Sequence, residues 1–177
     1  MKDKFLKQAE REYRPGIRGI GLIIEGIVFL GLLPGTLVYF SPRLDYLLKL
    51  PHITSSLINV VLGCGIIIMG ILFAWWAIYV QFTIGRGTPV PLMATQQLIV
   101  TKPYNYCRNP MALGSIMAYL GVALLIISIS ALVLVLAWTV LLLTYIKLLE
   151  EKEMELRFGQ AYQKYRKQTS FILPRFR

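Results

Sequence analysis

Four long apolar segments, separated by polar stretches, dominate the pattern of this chain. They cover residues 16–40, 53–83, 111–128 and 130–149. A helix needs about 20 predominantly apolar residues to cross the hydrocarbon core of a bilayer. The pattern therefore predicts an all-α integral membrane protein with four transmembrane helices, built as a single membrane domain over residues 1–177. Residues 1–84 would supply an interfacial start and two spans, and residues 85–177 a loop, a helical hairpin and a tail.

Composition and charge agree with a membrane protein. The chain is 56% hydrophobic and 16% charged, whereas about a quarter of a soluble domain is charged. Of the 19 lysines and arginines, only Arg43 and Lys49 fall between the first two spans. The positive-inside rule then places both termini and the loop before the third span in the cytoplasm, in what we expect to be a prokaryotic plasma membrane. The net charge of +10 indicates topology rather than nucleic-acid binding, because no nucleic-acid reader motif is present.

Polar segments flank the hairpin of the third and fourth spans. Residues 85–110 contain glycines and prolines that preclude a regular helix. A loop of this length in a compact protein is either functional or disordered, and its apolar patch at 98–100 favours order. The fourth span is predicted to continue as a helix into the cytoplasm, with Gly159 as its C-cap. The tail beyond it, and residues 1–14, are predicted to lie at the membrane interface.

The first span contains two polar or helix-breaking features. Pro34 is expected to kink or interrupt the helix. Glu25 is a carboxyl group within the bilayer, which indicates either a function or a hydrogen-bonded residue packed against a neighbouring helix. We expect no disulfide between Cys64 and Cys107 because their depths differ and the cytoplasm is reducing. A metal site is not predicted, since the single His52 belongs to no cluster with zinc spacing.

The loop before the third span and the end of the fourth span are expected to meet. Pro110 suits the first turn of a helix, so it is predicted to start the third span. The short connection between the third and fourth spans then returns the end of the fourth to the same point. The side chains delivered there are Tyr104, Arg108, Asn109, Glu150 and Glu151. Asn109 could cap the helix or bind a ligand, and the group as a whole could hold a zwitterionic, partly aromatic small molecule.

A plainer interpretation of the same residues is open. The acidic residues at 150–155 could form a solvated helix face in which Lys147 pairs with Glu151, one turn apart. Arg108 could face lipid phosphates as an anchor. Taken alone, the acidic run favours this structural interpretation.

A series of short motifs runs through the second half of the chain. In order they are Gly85-Arg86-Gly87-Thr88-Pro89-Val90-Pro91, Gln97-Leu98-Ile99-Val100, Pro103-Tyr104, Arg108-Asn109-Pro110-Met111, Gly114, Glu150-Glu151, Phe158-Gly159, Tyr162, Tyr165 and Pro174. In this order and spacing the sequence resembles the isoprenylcysteine carboxyl methyltransferase and phospholipid methyltransferase superfamily. The resemblance covers about residues 85–177.

This resemblance implies a membrane-embedded methyltransferase that uses S-adenosylmethionine (SAM). The loop and the C-terminal helix would cover the cofactor on the cytoplasmic side. The cofactor-contacting positions of the superfamily fall on Gln96, Leu98, Ile99, Tyr104, Asn109, Pro110, Met111, Ala112 and Glu150. The candidate catalytic residues are Glu150, Glu151 and Arg108.

The acceptor that the resemblance implies is a lipophilic small molecule or a lipid in the bilayer. A carboxylate acceptor needs mainly alignment and exclusion of water, whereas an amine must lose a proton, which Glu150 or Glu151 could accept. The prenylcysteine enzymes carry an arginine where this chain has Ile146, which favours a lipid amine over an isoprenylcysteine-like carboxylate. The superfamily usually has tyrosine where this chain has Ala112, so a non-catalytic protein of the same fold is an alternative. An NADPH-dependent membrane reductase with a similar C-terminal hairpin is another.

Overall fold

The computed structural model describes residues 14–51, 54–87 and 95–175. Within these ranges the secondary structure is helical, and the only β feature is an isolated bridge between Cys107 and Ser170. The predicted all-α class is therefore confirmed for this part of the chain. Three parts of the predictions lie outside the described ranges: residues 1–13 of the interfacial start predicted at 1–14, His52, and residues 88–91 of the first motif.

Five helices follow one another along the described chain. Helix α1 is continuous and comprises an α-helical part, Pro15–Gly26, a π-helix, Ile27–Leu32, and a second α-helical part, Leu33–Leu47. Helix α2 is Leu57–Thr83, α3 is Pro110–Ile126 and α4 is Ile129–Tyr145. A second π-helix, Ile146–Glu150, joins α4 directly to α5, Glu151–Gln168.

Among the residues that the structure describes, three helical stretches are long and apolar enough to cross a membrane. They are Gly16–Leu47, Leu57–Thr83 and Ile129–Gln168. The fourth predicted span corresponds to α3, an apolar helix of 17 residues, which is at the lower limit of about 17 residues for a spanning helix. The chain is thus an integral membrane protein, and the count of four spans stays a prediction that depends on α3.

Helix α1 differs from the prediction near its prolines. The interruption expected at Pro34 takes the form of the π-helix that precedes it, and Pro34 itself lies in the first turn of the second α-helical part. The outer connection predicted at 41–52 is wrong, because the helix passes through Pro42 and ends at Leu47. A proline inside a helix removes one backbone hydrogen bond. The outer end of α1 is held by Asp45, whose carboxylate accepts a 2.8 Å bond from the Ser130 amide of α4.

Glycines bring α2 and α3 into close contact. A Cβ atom placed on Gly70 would lie 2.6 Å from the carbonyl oxygen of Gly114, and a Cβ on Gly114 would lie 2.6 Å from the carbonyl oxygen of Gly70. About two helical turns away along the same interface, a Cβ on Gly121 would lie 2.8 Å from the carbonyl oxygen of Gly63. Small residues at such interfaces let two membrane helices approach backbone to backbone. The α2–α3 pair therefore forms the rigid centre of the bundle.

Several predictions hold for the α3–α4 hairpin and for α5, the helix that continues from it. Pro110 occupies the first turn of α3, and the Ser128 hydroxyl caps α4 by accepting from the Ala131 amide at 3.1 Å. The helix continues beyond Glu150 as predicted. Gly159 has a φ of 51°, a conformation that glycine adopts without steric cost. It breaks α5 at the predicted position, and the helix then resumes to Gln168.

Candidate active site

The loop between α2 and α3 is fastened to the last turns of α5 and to the segment that follows it, which we call the tail. The Tyr165 hydroxyl donates to the backbone carbonyl of Tyr104 at 2.6 Å. The Arg108 amide donates to the Ser170 carbonyl at 2.9 Å, and the Ser170 hydroxyl donates to the Tyr106 carbonyl at 3.1 Å. Backbone groups of the loop are thereby satisfied by the tail. The two segments form one structural unit although they are separated by the whole α3–α4 hairpin.

Arg108 is the main side-chain link in this unit. Its Nε and Nη2 both donate to Oε1 of Glu151, at 3.0 and 2.5 Å, and its Nη1 donates to the Thr169 carbonyl at 2.5 Å. The second carboxylate oxygen of Glu151 lies 3.0 Å from Nζ of Lys147. The side chains of Arg108 and Glu151 are 8% and 6% exposed. A charge left alone at this depth would be costly, so the pair holds the loop against α5.

The π-helix at the end of α4 sets the positions of the two adjacent glutamates. A π-helix makes i→i+5 bonds and so shifts the phase of the residues after it relative to a regular α-helix. Glu150 is the last residue of the π-helix and Glu151 the first of α5. Glu151 takes part in the ion pairs with Arg108 and Lys147. Among the described residues, no cation lies within ion-pair distance of Glu150, which contributes to the wall of a cavity.

A cavity of about 880 Å³ lies between the helices and the loop. Near the loop, its wall holds most of the residues that the sequence predicted for the site: Ile99, Tyr104, Arg108, Asn109, Pro110, Met111, Ala112, Glu150 and Glu151. Towards the membrane interior the wall is apolar and aromatic, with Phe29, Tyr119 and Trp138. Ligand pockets of about 300–1,000 Å³ with few polar groups are typical of small-molecule sites. The cavity thus joins a polar mouth to an apolar interior.

Tyr104 stands at the polar mouth. Its hydroxyl donates to the Gln81 side-chain oxygen at 3.0 Å. Burial, with smaller effects from Cys107 and Glu150, raises the pKa of Tyr104, so the hydroxyl stays protonated and acts as a donor at neutral pH. The Tyr104 side chain is therefore held by a hydrogen bond to α2, and its backbone carbonyl is held by Tyr165 of α5.

Three of the predicted residues have surroundings that the sequence did not foresee. Asn109 does not cap α3. Its amide nitrogen instead donates to the Phe171 carbonyl at 2.9 Å, which adds to the fastening of loop and tail. Gln96 and Leu98 do not belong to the cavity wall. The backbone amide of Gln96 donates to the Gly85 carbonyl at 2.6 Å, at the end of α2.

Sequence reasoning missed the contribution of α2 to the site. Trp75, Tyr79 and Gln81 all line the cavity, and none of them was among the predicted site residues. One signal was present in the sequence: Gln81 is a lone amide within the last turns of an otherwise apolar helix. The spacing of Trp75 and Tyr79, one turn apart, places them on the same face, but which face meets the loop is a tertiary property.

Fold and site together define an integral membrane protein with a cavity whose wall is polar near the loop and apolar elsewhere. The chain belongs to the phospholipid methyltransferase family, because a sequence model of that family matches residues 58–161. The match begins in α2 and ends in α5, so it includes the loop, the hairpin and both glutamates. No curated protein and no solved structure shows a significant similarity to the chain. The family is that of membrane methyltransferases, and helix α1 lies outside the matched residues.

Proposed function

We propose that this protein is a SAM-dependent methyltransferase that modifies a lipophilic acceptor at the cytoplasmic face of the membrane. The observation that carries this proposal is the ion pair of Arg108 and Glu151, which fastens the loop to α5 beside the cavity residues Tyr104 and Glu150. Family membership supports methyl transfer as the reaction class. Both termini would face the cytoplasm, as the charge distribution predicts.

The residues at the mouth fit the chemistry of SAM. The cavity volume of about 880 Å³ is within the range of about 300–1,000 Å³ that drug-sized ligands occupy. Tyr104 and Ile99 offer surfaces for a flat base, and Glu150 offers a carboxylate for a group that carries donors or positive charge. When bound, SAM would supply a methyl group that a nucleophile takes from the sulfonium by displacement.

The surroundings of the two glutamates support different roles. Both carboxylate oxygens of Glu151 are engaged, one by Arg108 and the other by Lys147. We assign Glu151 and Arg108 to positioning the loop. Glu150 lines the cavity beside Tyr104, and in our proposal it binds the cofactor or accepts the proton that an amine acceptor must lose.

The apolar half of the cavity supports an acceptor drawn from the bilayer. Phe29, Tyr119 and Trp138 would surround a hydrocarbon chain, and closure by the loop would exclude water from the reacting groups. A carboxylate substrate would need a cationic side chain to pair with, and the cavity wall has Ile146 at that position. We therefore favour a lipid amine over an isoprenylcysteine-like carboxylate.

The cofactor assignment can be tested by calorimetric titration of the purified chain in detergent. The titrants are SAM, its demethylated product and NADPH. We expect SAM and its demethylated product to bind and NADPH not to bind. Replacement Glu150→Gln should weaken SAM binding by about tenfold or more, the loss expected for one charge-assisted hydrogen bond. The control Glu155→Gln removes a carboxylate outside the cavity wall and should leave the affinity unchanged.

Transfer of radiolabelled methyl groups from SAM into a total lipid extract then tests catalysis. A labelled lipid would support the proposal, and its head group would identify the acceptor. NADPH binding without SAM binding would contradict the cofactor assignment. SAM binding without transfer to any lipid would instead favour a non-catalytic member of the family.

A further inference from the structure

The cavity ends at a defined position on each of the four helices that border it. The wall residues furthest from the loop are Leu30 of α1, Ile71 of α2, Tyr119 of α3 and Trp138 of α4. In the part of the chain that the structure describes, no residue further along these helices, away from the loop, belongs to the wall. Tyr119 follows Pro110, the first residue of α3, by nine positions, which corresponds to about 14 Å along the helix axis. The cavity therefore has a floor at about this depth.

Two aromatic residues form the floor. Tyr119 and Trp138 line the cavity and also pack with the core behind it, which contains Ala123, Ala131 and Val135. Their ring centroids are 5.4 Å apart and the rings meet edge to face at 88°, a favourable arrangement for an aromatic pair. Because a protein interior is close-packed, a ligand that enters from the loop side cannot pass these rings without displacing the core.

A hydrogen bond to α1 holds the floor in place. In a π-helix each backbone carbonyl accepts from the amide of the fifth residue after it. For Phe29 that residue is Pro34, which has no amide hydrogen, and the Leu33 amide is bonded to the Val28 carbonyl. The Phe29 carbonyl accepts instead from the Tyr119 hydroxyl at 2.7 Å. The bond satisfies two polar groups that would be costly to leave unpaired inside a membrane, so the Tyr119 ring has a fixed position.

Helix α1 separates the apolar part of the cavity from lipid on one side. Leu22, Gly26 and Phe29 belong to the cavity wall, and their spacing of four and three positions places them on one face of the helix. Ile24 and Ile27 are outside the wall and exposed. A hydrocarbon chain within the cavity is therefore enclosed by α1 on this side and faces the two aromatic rings at its end.

We propose that Tyr119 and Trp138 limit the length of the apolar group that the acceptor can carry, because this group enters end-on and stops at the floor. The inference deepens the proposed function and rests on it, since the cofactor is assigned to the half near Glu150 and the apolar group to the half above the floor. A shorter chain makes fewer contacts with the wall, and a longer chain overpacks the cavity. The acceptor class is then a lipophile whose unbranched chain is about as long as the cavity is deep.

Photocrosslinking of the full-length protein in lipid nanodiscs tests this length limit without requiring turnover. The probes are octylamine, dodecylamine and hexadecylamine, each with a diazirine on its last carbon, and mass spectrometry identifies the labelled residues. An extended dodecyl chain is close to the depth of the cavity. We expect the octyl probe to label wall residues above the floor, such as Ser115 or Leu142, and the dodecyl probe to label Tyr119 or Trp138. The hexadecyl probe should label the wall about tenfold less than the dodecyl probe, because extra methylenes would press against a packed core.

Removing either ring should deepen the cavity. In Tyr119→Ala and in Trp138→Ala, the hexadecyl probe should label the cavity as strongly as the dodecyl probe does in the unmodified chain. Its labels should also extend beyond the former floor, to Ala123 or Val135. A merely structural role of the two rings would not move the labelled positions in this direction.

Two further variants and a control complete the comparison. Ser115 is on the same face of α3 as Tyr119, one turn nearer the loop, so Ser115→Leu should make the cavity shallower. The dodecyl probe should then label the wall about tenfold less, as the hexadecyl probe does in the unmodified chain. Tyr119→Phe keeps the ring and should keep the limit. The control Tyr46→Ala removes an exposed tyrosine outside this cavity wall and should change nothing.

Several results would overturn the inference. One is equal labelling of the wall by the dodecyl and hexadecyl probes in the unmodified chain, and another is labelling confined to residues outside the cavity. A length limit that stays the same in the deepened and the shallower variants also overturns it. If Tyr119→Ala and Trp138→Ala do not fold, the length series in the unmodified chain and in Ser115→Leu decides. Calorimetric titration with SAM is a separate test: if the unmodified chain does not bind SAM, the proposed function fails, whereas the length limit is measured without SAM.

Discussion

The guanidinium of Arg108 and the carboxylate of Glu151 form a buried ion pair with an N–O distance of 2.5 Å. Arg108 ends the loop before α3, and Glu151 begins α5, so the pair connects segments on either side of the α3–α4 hairpin. The tail adds a further contact, because its Thr169 carbonyl accepts a hydrogen bond from Nη1 of Arg108. The pair therefore joins the loop, α5 and the tail at the mouth of the cavity.

Replacement Glu151→Ala should destabilise the region where the loop, α5 and the tail meet. Removing one partner of a buried pair costs about 3–5 kcal/mol, because the other charge is left uncompensated. We expect a lower melting temperature in detergent and faster proteolysis of the tail. The control is Glu155→Ala, which breaks the half-exposed pair with Arg166 and should cost less than about 1 kcal/mol. Equal effects of the two variants would contradict a buried structural role for Glu151.

The glycines between α2 and α3 permit a comparison within one helix. Gly70→Ala places a methyl group 2.6 Å from the backbone of Ala118 and Gly114, and such overpacking costs about 1–3 kcal/mol. Gly65→Ala meets nothing within 4 Å and should be neutral or slightly stabilising, since alanine favours helix. Thermal unfolding of both variants in the same detergent checks this difference. A Gly70→Ala variant as stable as Gly65→Ala would show that the two helices are less closely packed.

Two substitutions at Tyr104 should separate the role of its ring from that of its hydroxyl. Tyr104→Phe removes the bond to Gln81 and should cost about 1 kcal/mol of stability, while the ring still closes the mouth. Tyr104→Ala removes the ring as well and should weaken SAM binding more strongly. Calorimetric SAM titration and thermal unfolding of both variants provide the comparison. Similar SAM affinities for the alanine variant and the unmodified chain would exclude Tyr104 from the cofactor site.

Cys107 should react slowly with thiol reagents at neutral pH. The residue is completely buried, and burial raises the pKa of its thiol to about 11. The thiolate is the reactive form, so alkylation should accelerate about tenfold per pH unit up to that value. Since the folded-state pKa is above the unfolded value of 9.0, the linked stabilisation is present below pH 9 and is lost as the pH rises towards 11. Rapid alkylation at pH 7 would contradict the packing of the loop.

The orientation in the membrane is best tested at exposed positions. Because Cys107 is buried, we choose Thr101→Cys in the loop and Ser55→Cys in the outer connection, both at exposed residues and both in a Cys64→Ala background. A membrane-impermeant maleimide should reach Thr101→Cys only from the cytoplasmic face and Ser55→Cys only from the opposite face. The reverse pattern would overturn the predicted orientation, and labelling of both from one face would change the number of spans.

Local sequence signals determined the helices and several of their ends. The second apolar segment, predicted at 53–83, is observed as Leu57–Thr83. Pro110 starts α3 and Gly159 breaks α5 as predicted, since a missing amide and a positive φ restrict where these residues fit. Most of the predicted site residues also share one cavity, because the short α3–α4 turn brings the ends of the hairpin together.

Tertiary structure alone decided how the site is assembled. Helical periodicity predicts which side chains share a face of a regular helix, but a π-helix at Ile146–Glu150 changes the phase just where two glutamates follow each other. The pairing of Glu151 with Arg108 and the presence of Gln81 and Glu25 on the cavity wall depend on contacts between distant segments. Such contacts leave no periodic signal, because they are selected by packing in three dimensions. The sequence thus determined an all-helical membrane protein with a polar mouth, and the packing decided which carboxylate is used to fasten the loop and which faces the cavity.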